Sequence, residues 1–475
     1  MIAEEVSFEF KGTHQKFRLI SDEERRAGNF FTLISGENGV GKSVLLRALV
    51  DAALTPASQS FSNNRTSKAS ARFSGGQPTR ILALSGTIND RFPNNSGADL
   101  RLSVNKFDVS NFYYFGPRHA GGIASSARAA SSISQSIVSF MISGGGWSKG
   151  AHHLLNYLGL TGSVVVKLQP HPRVRKNVDG YIEEMMRRLT GITEKFEGDQ
   201  KERIDSAKFA LSILQQVDEK DVFRIPENWP MRLRFESRSG DIIMERDQGY
   251  LFESLLIEHQ EDWPKLTLGL ISIGLLKADV EFIKFDNEHD SVNLDEMSSG
   301  QWQLINCLFN LAASVRDNSL ILIDEPENSL HPQWQKNYIS LVREIISHTK
   351  GCHVLIATHS PMLVTSLLPH DGALLSLTKE QDSSQVDAEI EGSAYGWLPG
   401  DALRDRFDLD TQRPPELTKA INIALSAIRR NDGRSSDLKN AKRRIAHLRS
   451  SLPVDDPLNL TLDAIIEFKV DTRDE

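Results

Sequence analysis

The sequence predicts an α/β fold with a mixed sheet, a helical insertion and a helical C-terminal tail. Four short, mainly apolar runs, Phe30–Ser35, Leu320–Ile323, Val354–Ala357 and Ala373–Leu377, have the length and composition of buried strands. The first runs through a glycine-rich turn into a helix-patterned segment, Ser43–Ala53, apolar at Val44, Leu45, Ala48 and Leu49. From residue 381 on, the chain reads as a separate, mostly helical tail.

Taken in order, Val6–Phe10 and Phe17–Ile20 alternate and predict an antiparallel hairpin beside the main sheet. Thr55–Thr79, rich in Ser, Asn, Gln and Gly, reads as an exposed loop. Strands are expected at Arg80–Leu84 and Phe112–Phe115, followed by a Gly/Ala/Ser-rich stretch, Gly116–Gly150, too small-residued to make a core. Residues 151–228 show apolar spacings of three and four and predict helices. Alternation at Met231–Phe235 and Asp241–Glu245 predicts a returning hairpin, and Ser298–Ala313 a helix.

Composition removes several function classes. The 475 residues carry 55 Lys plus Arg against 63 Asp plus Glu, a net charge of −8, so nucleic-acid binding would need a local patch. Two cysteines, Cys307 and Cys352, rule out a disulfide framework or Cys-rich zinc module. The start, MIAEEVSFEF, lacks a signal-peptide pattern, and the longest near-apolar stretch, Leu266–Leu276, falls well short of the ~20 residues of a membrane span. A cytoplasmic protein with no membrane partner is expected.

Gly36-Glu37-Asn38-Gly39-Val40-Gly41-Lys42-Ser43 fits the phosphate-loop pattern G-x-x-x-x-G-K-[ST]. Glycines let the backbone wrap a triphosphate, and N–H groups at the helix start face the anion. Lys42 is expected to reach the β- and γ-phosphates and Ser43 to hold Mg²⁺; the nucleotide-binding set runs on to Val44. The second motif, Leu320-Ile321-Leu322-Ile323-Asp324-Glu325-Pro326, ends a buried strand in two acids. Asp324 there suits Mg²⁺, and Glu325 suits a carboxylate that orients or deprotonates the attacking water. Met297-Ser298-Ser299-Gly300-Gln301 opens a helix, an anion site by its Ser298 hydroxyl and exposed amides. His359 follows strand Val354–Ala357.

These four elements, in this order, resemble the ABC-type ATPases. MSSGQ is similar to that class's LSGGQ signature, with Met for Leu and Ser for the first Gly; Ser298, Ser299, Gly300 and Gln301 would cover the nucleotide of a second subunit. His359 corresponds to the switch histidine, a catalytic position with Glu325 and Lys42, and Asn328-Ser329-Leu330-His331 to the D-loop. The resemblance implies an ATP- and Mg²⁺-dependent head-to-tail homodimer. It divides the chain into an ATPase N-terminal part (1–150), a mainly helical insertion (151–230), an ATPase C-terminal part (231–380) and a helical tail (381–475). The family's glutamine loop has no counterpart after strand Arg80–Leu84, where Ser85-Gly86-Thr87-Ile88-Asn89-Asp90 stands.

Lys42 and Ser298 lie 256 residues apart, too far for a compact transporter subunit. DEPExxLHP at 324–332 is similar instead to the OLD, RecF-like and Septu ATPases, many of them anti-phage. Tyr114–Arg118, Asp90–Pro93 and Tyr395–Arg404 share the likeness. A nuclease domain is not expected in this chain: Asp408-Leu409-Asp410 is the only acidic cluster near such a pattern, and it reads as a loop. The resemblance therefore implies a separate effector, a nuclease. The alternatives are a DNA-clamping repair ATPase and a slow-turnover scaffold. Basic patches at 173–188 (Arg173, Arg175, Lys176, Arg187, Arg188) and 429–449 (Arg429, Arg430, Arg434, Lys439, Lys442, Arg443, Arg444, Arg449) are the candidate nucleic-acid or protein contacts.

Overall fold

The computed structural model describes residues 1–20, 28–54, 69–93, 111–117, 133, 149–170, 178–190, 198–215, 231–236, 242–245, 262–284, 287–379, 385–407, 413–430 and 435–468. They fall into two units, Met1–Pro399 and Gly400–Glu475.

The larger unit is built on a seven-stranded sheet. Its strands are β3 (Phe30–Gly36), β5 (Arg80–Ser85), β6 (Phe112–Phe115), β12 (Ser319–Asp324), β13 (His353–Ala357), β14 (Gly372–Thr378) and β15 (Asp387–Glu391). They lie in the order β15-β14-β3-β13-β12-β5-β6, parallel except for β15, which pairs antiparallel at one edge. β12 and β13 are buried along their whole length, which is why both read as unbroken apolar runs. The mixed α/β class expected from the sequence is the one observed.

A three-stranded antiparallel sheet, β2-β1-β4, joins β1 (Ile2–Phe10), β2 (Thr13–Arg18) and β4 (Ser70–Ser74). Helix α1 (Lys42–Leu54) packs between the two sheets: Leu45, Leu46 and Leu49 share one core with Val6, Phe8 and Phe17 on one side and Leu322 and Leu355 on the other. β4 departs from the expected exposed loop. Its short sequence, SARFS, pairs with β1 and packs only Ala71 and Phe73, both part-buried, against the core, so hydropathy marks it weakly. The rest of that loop, 55–68, and most of Gly116–Gly150 lie outside the described residues.

Residues 149–293 add helices α2 (Lys149–Tyr157), α3 (Val178–Thr190), α4 (Gly198–Leu214) and α5 (Trp263–Ser272) and a second antiparallel sheet. That sheet is ordered β11-β10-β7-β8-β9, with β7 (Leu160–Pro170), β8 (Met231–Glu236), β9 (Ile242–Glu245), β10 (Leu276–Lys284) and β11 (Asn287–Asn293). The segment expected to be mainly helical thus donates β7, the sheet's central strand, and the hairpin β8–β9 pairs with it across the expected boundary at 230/231. Its partners are distant in sequence, and a single apolar run of this kind does not reveal them. Helix α4 meets α5 closely: a Cβ on Gly269 would stand 2.1 Å from the Ser206 carbonyl oxygen.

Helix α6 (Ser299–Leu304) passes through one π turn (Ile305–Phe309) into α7 (Asn310–Ser314), and β12 follows. Helices α8 (Pro332–Ile345) and α9 (Pro361–Val364) complete this unit. The smaller unit contains α10 (Pro399–Arg406), α11 (Pro415–Arg429), α12 (Ser436–Arg449) and α13 (Leu458–Glu467). The last three bury Leu417, Ala424, Leu438, Ile445, Leu462 and Ile465 against one another. Among the described residues no helix is long and apolar enough to cross a membrane.

Candidate functional site

Three adjacent parallel strands end at one edge of the main sheet. The register sets Ile34 of β3 beside Ala357 of β13, and Ala357 beside Asp324 of β12. The next few residues of each strand therefore meet: the loop from Gly36, the pair Asp324–Glu325, and Thr358–His359. The carboxyl ends of parallel strands are where an open α/β sheet places its ligand.

The phosphate loop needs its glycines. Gly36, Gly39 and Gly41 have φ of +143°, +78° and +114°, a region L side chains rarely adopt. At Gly36 a Cβ would also stand 2.3 Å from the Leu377 carbonyl oxygen. Glu37, Asn38 and Gly39 are exposed, Val40 is buried beneath the loop, and Val44 is half-buried against the core. Lys42 opens α1 with its ammonium donating to the carbonyls of Gly36 (2.8 Å) and Glu37 (3.1 Å). Burial lowers its pKa to about 8, against the upward pull of Glu325, Glu327 and Asp324. It remains a cation at neutral pH.

Asp324 is buried at 1% exposure. Its Oδ1 accepts from the Ser43 hydroxyl at 2.9 Å, while Oδ2 is buried with no hydrogen-bond partner. Desolvation pushes the carboxyl up to about 7, with Ser43 opposing the shift. An unpaired buried carboxylate oxygen costs free energy that a hard cation would recover. An oxygen donor set of this kind, one carboxylate and one hydroxyl beside a phosphate loop, fits Mg²⁺.

Glu325 adopts φ +46°, rare for a side chain of its size, with its N–H donating to the Ala357 carbonyl at 2.9 Å. The turn is possible because Gly86 leaves room: a Cβ there would sit 2.2 Å from the Glu325 carbonyl oxygen. The carboxylate is part-exposed, accepts from Asn328 Nδ2 at 2.9 Å, and lies 3.9 Å from His359 Nε2. The other ring nitrogen of His359 is 3.5 Å from Lys42 Nζ. Burial first, then the Lys42 charge, lowers the His359 pKa, which favours the neutral imidazole.

Lys42, Ser43, Asp324, Glu325 and His359 are therefore one connected group. The serine-rich signature stands differently. Ser298 caps α6 by a reciprocal capping box: its Oγ accepts from the Gln301 N–H (3.3 Å), and Gln301 Oε1 accepts from the Ser298 N–H (3.1 Å). Ser298 and Ser299 are exposed. Gly300 is buried, where a Cβ would stand 2.7 Å from both the Ser329 carbonyl oxygen and the Trp334 ring. Beyond β5, Asp90 is buried and accepts from the Tyr114 hydroxyl at 2.6 Å.

Two residues not singled out from the sequence join the group. Glu327 accepts the His359 backbone N–H. Gln335, on α8, ties the chain after Glu327 to Ser360. The third acid of Asp324-Glu325-Pro326-Glu327 was the only sequence signal for either. Of the basic patches, Arg173, Arg175, Lys176 and Arg434 lie outside the described residues, as does Asp408-Leu409-Asp410.

A phosphate-loop strand, an acid-tipped neighbour and a histidine-bearing strand between them define a P-loop ATPase head. Residues 195–365, about a third of the chain, match the family profile described as "AAA domain, putative AbiEii toxin, Type IV TA system". The motifs and their order are those of ABC-type ATPases, and parts of the chain are similar in sequence to two curated proteins. The chain is 32% identical over 105 residues to the Septu protein PtuA of Bacillus thuringiensis, 22% of this chain and 25% of that one. It is 24% identical over 159 residues to the "Retron Ec83 probable ATPase" of Escherichia coli, 31% and 27% of the two chains. The chain thus matches only about a quarter of the length of these relatives. Among solved structures, the Smc head domain bound to the C-terminal domain of ScpA, from Pyrococcus furiosus, aligns over 82% of this chain and 96% of that one at TM-score 0.32 and 10% identity. The class assignment rests on the motifs and sheet order, not on that superposition.

Proposed function

We propose that this chain binds Mg²⁺–ATP, hydrolyses it in a head-to-tail homodimer, and thereby controls a separate effector nuclease in anti-phage defence. The observation that carries the dimer is the split of the motifs. Lys42, Ser43, Asp324, Glu325 and His359 converge at one edge of the sheet, whereas the capped, anion-attracting start of α6 presents Ser298 and Ser299 outward. A second copy related by a two-fold axis would bring each signature to the other's nucleotide.

Within each site Gly36–Val44 wraps the triphosphate, and Lys42 pairs with the β- and γ-phosphates. Ser43 and Asp324 would hold Mg²⁺, which would supply charge neutralisation for phosphoryl transfer. Glu325, part-exposed and steered by Asn328, orients the attacking water and takes its proton. The neutral His359 donates or accepts at the γ-phosphate and so reports its presence. Ser298, Ser299, Gly300 and Gln301 close over the phosphate of the partner subunit.

The likeness to a Septu protein and a retron ATPase supports the defence role, and the effector assignment rests on that likeness. The test is the mass of the complex purified from its native operon as the Glu325→Gln variant with ATP. A stoichiometric second protein with nuclease activity is the expected result; the chain alone would overturn the effector reading. A DNA clamp is the second reading, favoured by Arg429, Arg430, Lys439 and Arg443, exposed on α11 and α12 and its C-terminal turn. Among the other described residues of that patch, Lys442 donates to the Ile466 carbonyl, Arg444 pairs with Glu416 and Arg449 with Asp463. A bare dimer that shifts on adding duplex DNA would favour the clamp.

A further inference from the structure

We propose that Glu327 is a positioning residue that fixes the loop carrying His359, with Gln335 as its second anchor. The inference rests on the ATP-hydrolysis reading above. Glu327 lies two residues beyond Glu325, separated by Pro326, and its carboxylate turns back into the protein. Oε1 accepts the backbone N–H of His359, and the Thr358 side chain adds a further hydrogen bond. Oε2 is buried with no partner. A carboxylate buried with one oxygen unpaired is a poor way to stabilise a fold, because its desolvation is only partly offset. A charge-assisted bond to a backbone N–H is, however, a strong way to hold one peptide in place.

The peptide held is the one that aims the imidazole. With the His359 N–H fixed, its ring lies 3.9 Å from Glu325 Oε1 and 3.5 Å from Lys42 Nζ. Gln335 grips the same loop one residue later. Its Oε1 accepts from the Ser360 hydroxyl at 2.7 Å, and its Nε2 donates to the carbonyls of Leu330 (2.9 Å) and Glu327 (3.5 Å). Residues 358–360 are thereby tied to residues 327–330 at two points. The latter turn includes Ser329, exposed at φ +66°, whose carbonyl faces Gly300 of the signature helix. Glu327 and Gln335 join the His359 loop to the segment nearest the signature.

The test has two arms on the full chain. In the first, hydrogen exchange is followed at the His359 amide without added nucleotide. Glu327→Ala should accelerate exchange there by tenfold or more, and Glu327→Gln, which keeps an acceptor oxygen, should recover most of the protection; unchanged exchange in Glu327→Ala would overturn the positioning role. In the second, steady-state hydrolysis is measured. Glu327→Ala should lower kcat by about 30-fold with KM within about threefold, and Glu327→Gln should restore roughly tenfold of that loss. A residue acting through His359 should add less than about threefold in a His359→Ala background. Additive losses, or a KM that rises in step with the kcat loss, would overturn it. Should Glu327→Ala fail to fold, Gln335→Ala carries the same two arms. Absence of turnover in the unmodified chain would count against the ATPase reading, while the exchange arm would still decide the placement of His359.

Discussion

Glu325 depends on a neighbour that has no side chain. Its left-handed turn puts its carbonyl where a Cβ on Gly86 would stand, 2.2 Å away. Gly86→Ala must therefore displace Glu325, and it should cut kcat at least tenfold while ATP affinity stays within about threefold; equilibrium binding and turnover together check this. Removing the carboxylate's chemistry without its shape is the cleaner probe. Glu325→Gln should bind ATP as the parent does and lose roughly a hundredfold or more in turnover, and an active variant would take Glu325 out of the mechanism. Lys42→Ala should behave oppositely, with binding itself weakened. That these residues meet was legible in the sequence, because phosphate and metal binding call for particular residues at particular chain spacings. Glu327 was not: its sequence position shows an acid, but only the fold shows that it points back at His359, 32 residues away.

At the scale of elements, the sheet is tied to its antiparallel neighbour by a histidine that stays neutral through the ordinary pH range. His353 opens β13 and is fully buried. Its Nδ1 accepts the Ala3 N–H at 3.0 Å, and its Nε2 lies 2.9 Å from Thr32 Oγ1, whose own proton goes to the Leu19 carbonyl. Nδ1 has no room for a second proton. Burial, and then the N-terminal amine, depress its pKa to about 3 from 6.5. The unfolded chain takes up a proton below pH 6.5 that the folded chain refuses down to about 3. The stabilising contribution is thus full above pH 6.5 and is lost as pH falls, by roughly 1.4 kcal/mol for each pH unit across that window. Urea unfolding at pH 7 and pH 5 should show this loss, and His353→Asn should flatten it. A separate test addresses packing: Leu49→Ala, between the two sheets, should cost about 2–5 kcal/mol in the same assay.

Elements were unequally legible for a physical reason. Strands buried on both faces, such as β12 and β13, and the amphipathic tail helices announce themselves by composition and period. β4, β7, β10 and β11 did not: β4 and β7 pair with strands remote in sequence, while β10 and β11 form a hairpin of largely polar sequence, in which β10, LKADVEFIK, alternates buried and half-buried positions. The π turn at Ile305–Phe309 inserts into a run that is buried throughout, where one residue more per turn leaves no mark on hydropathy.

On the scale of the whole molecule, the proposed dimer sandwiches each nucleotide between the phosphate loop of one subunit and the Ser298 helix start of another. Two crippled chains decide it. Lys42→Ala removes a phosphate loop and Ser298→Arg blocks a signature, so each homodimer should be inactive. A mixed dimer, however, retains one intact site, formed by the phosphate loop of the Ser298→Arg chain and the signature of the Lys42→Ala chain. Mixing equal amounts should therefore restore about a quarter of the parent ATPase rate, half the dimers being mixed and each having one of two sites intact. A mixture no more active than its components, from chains that each remain folded, would contradict the composite site.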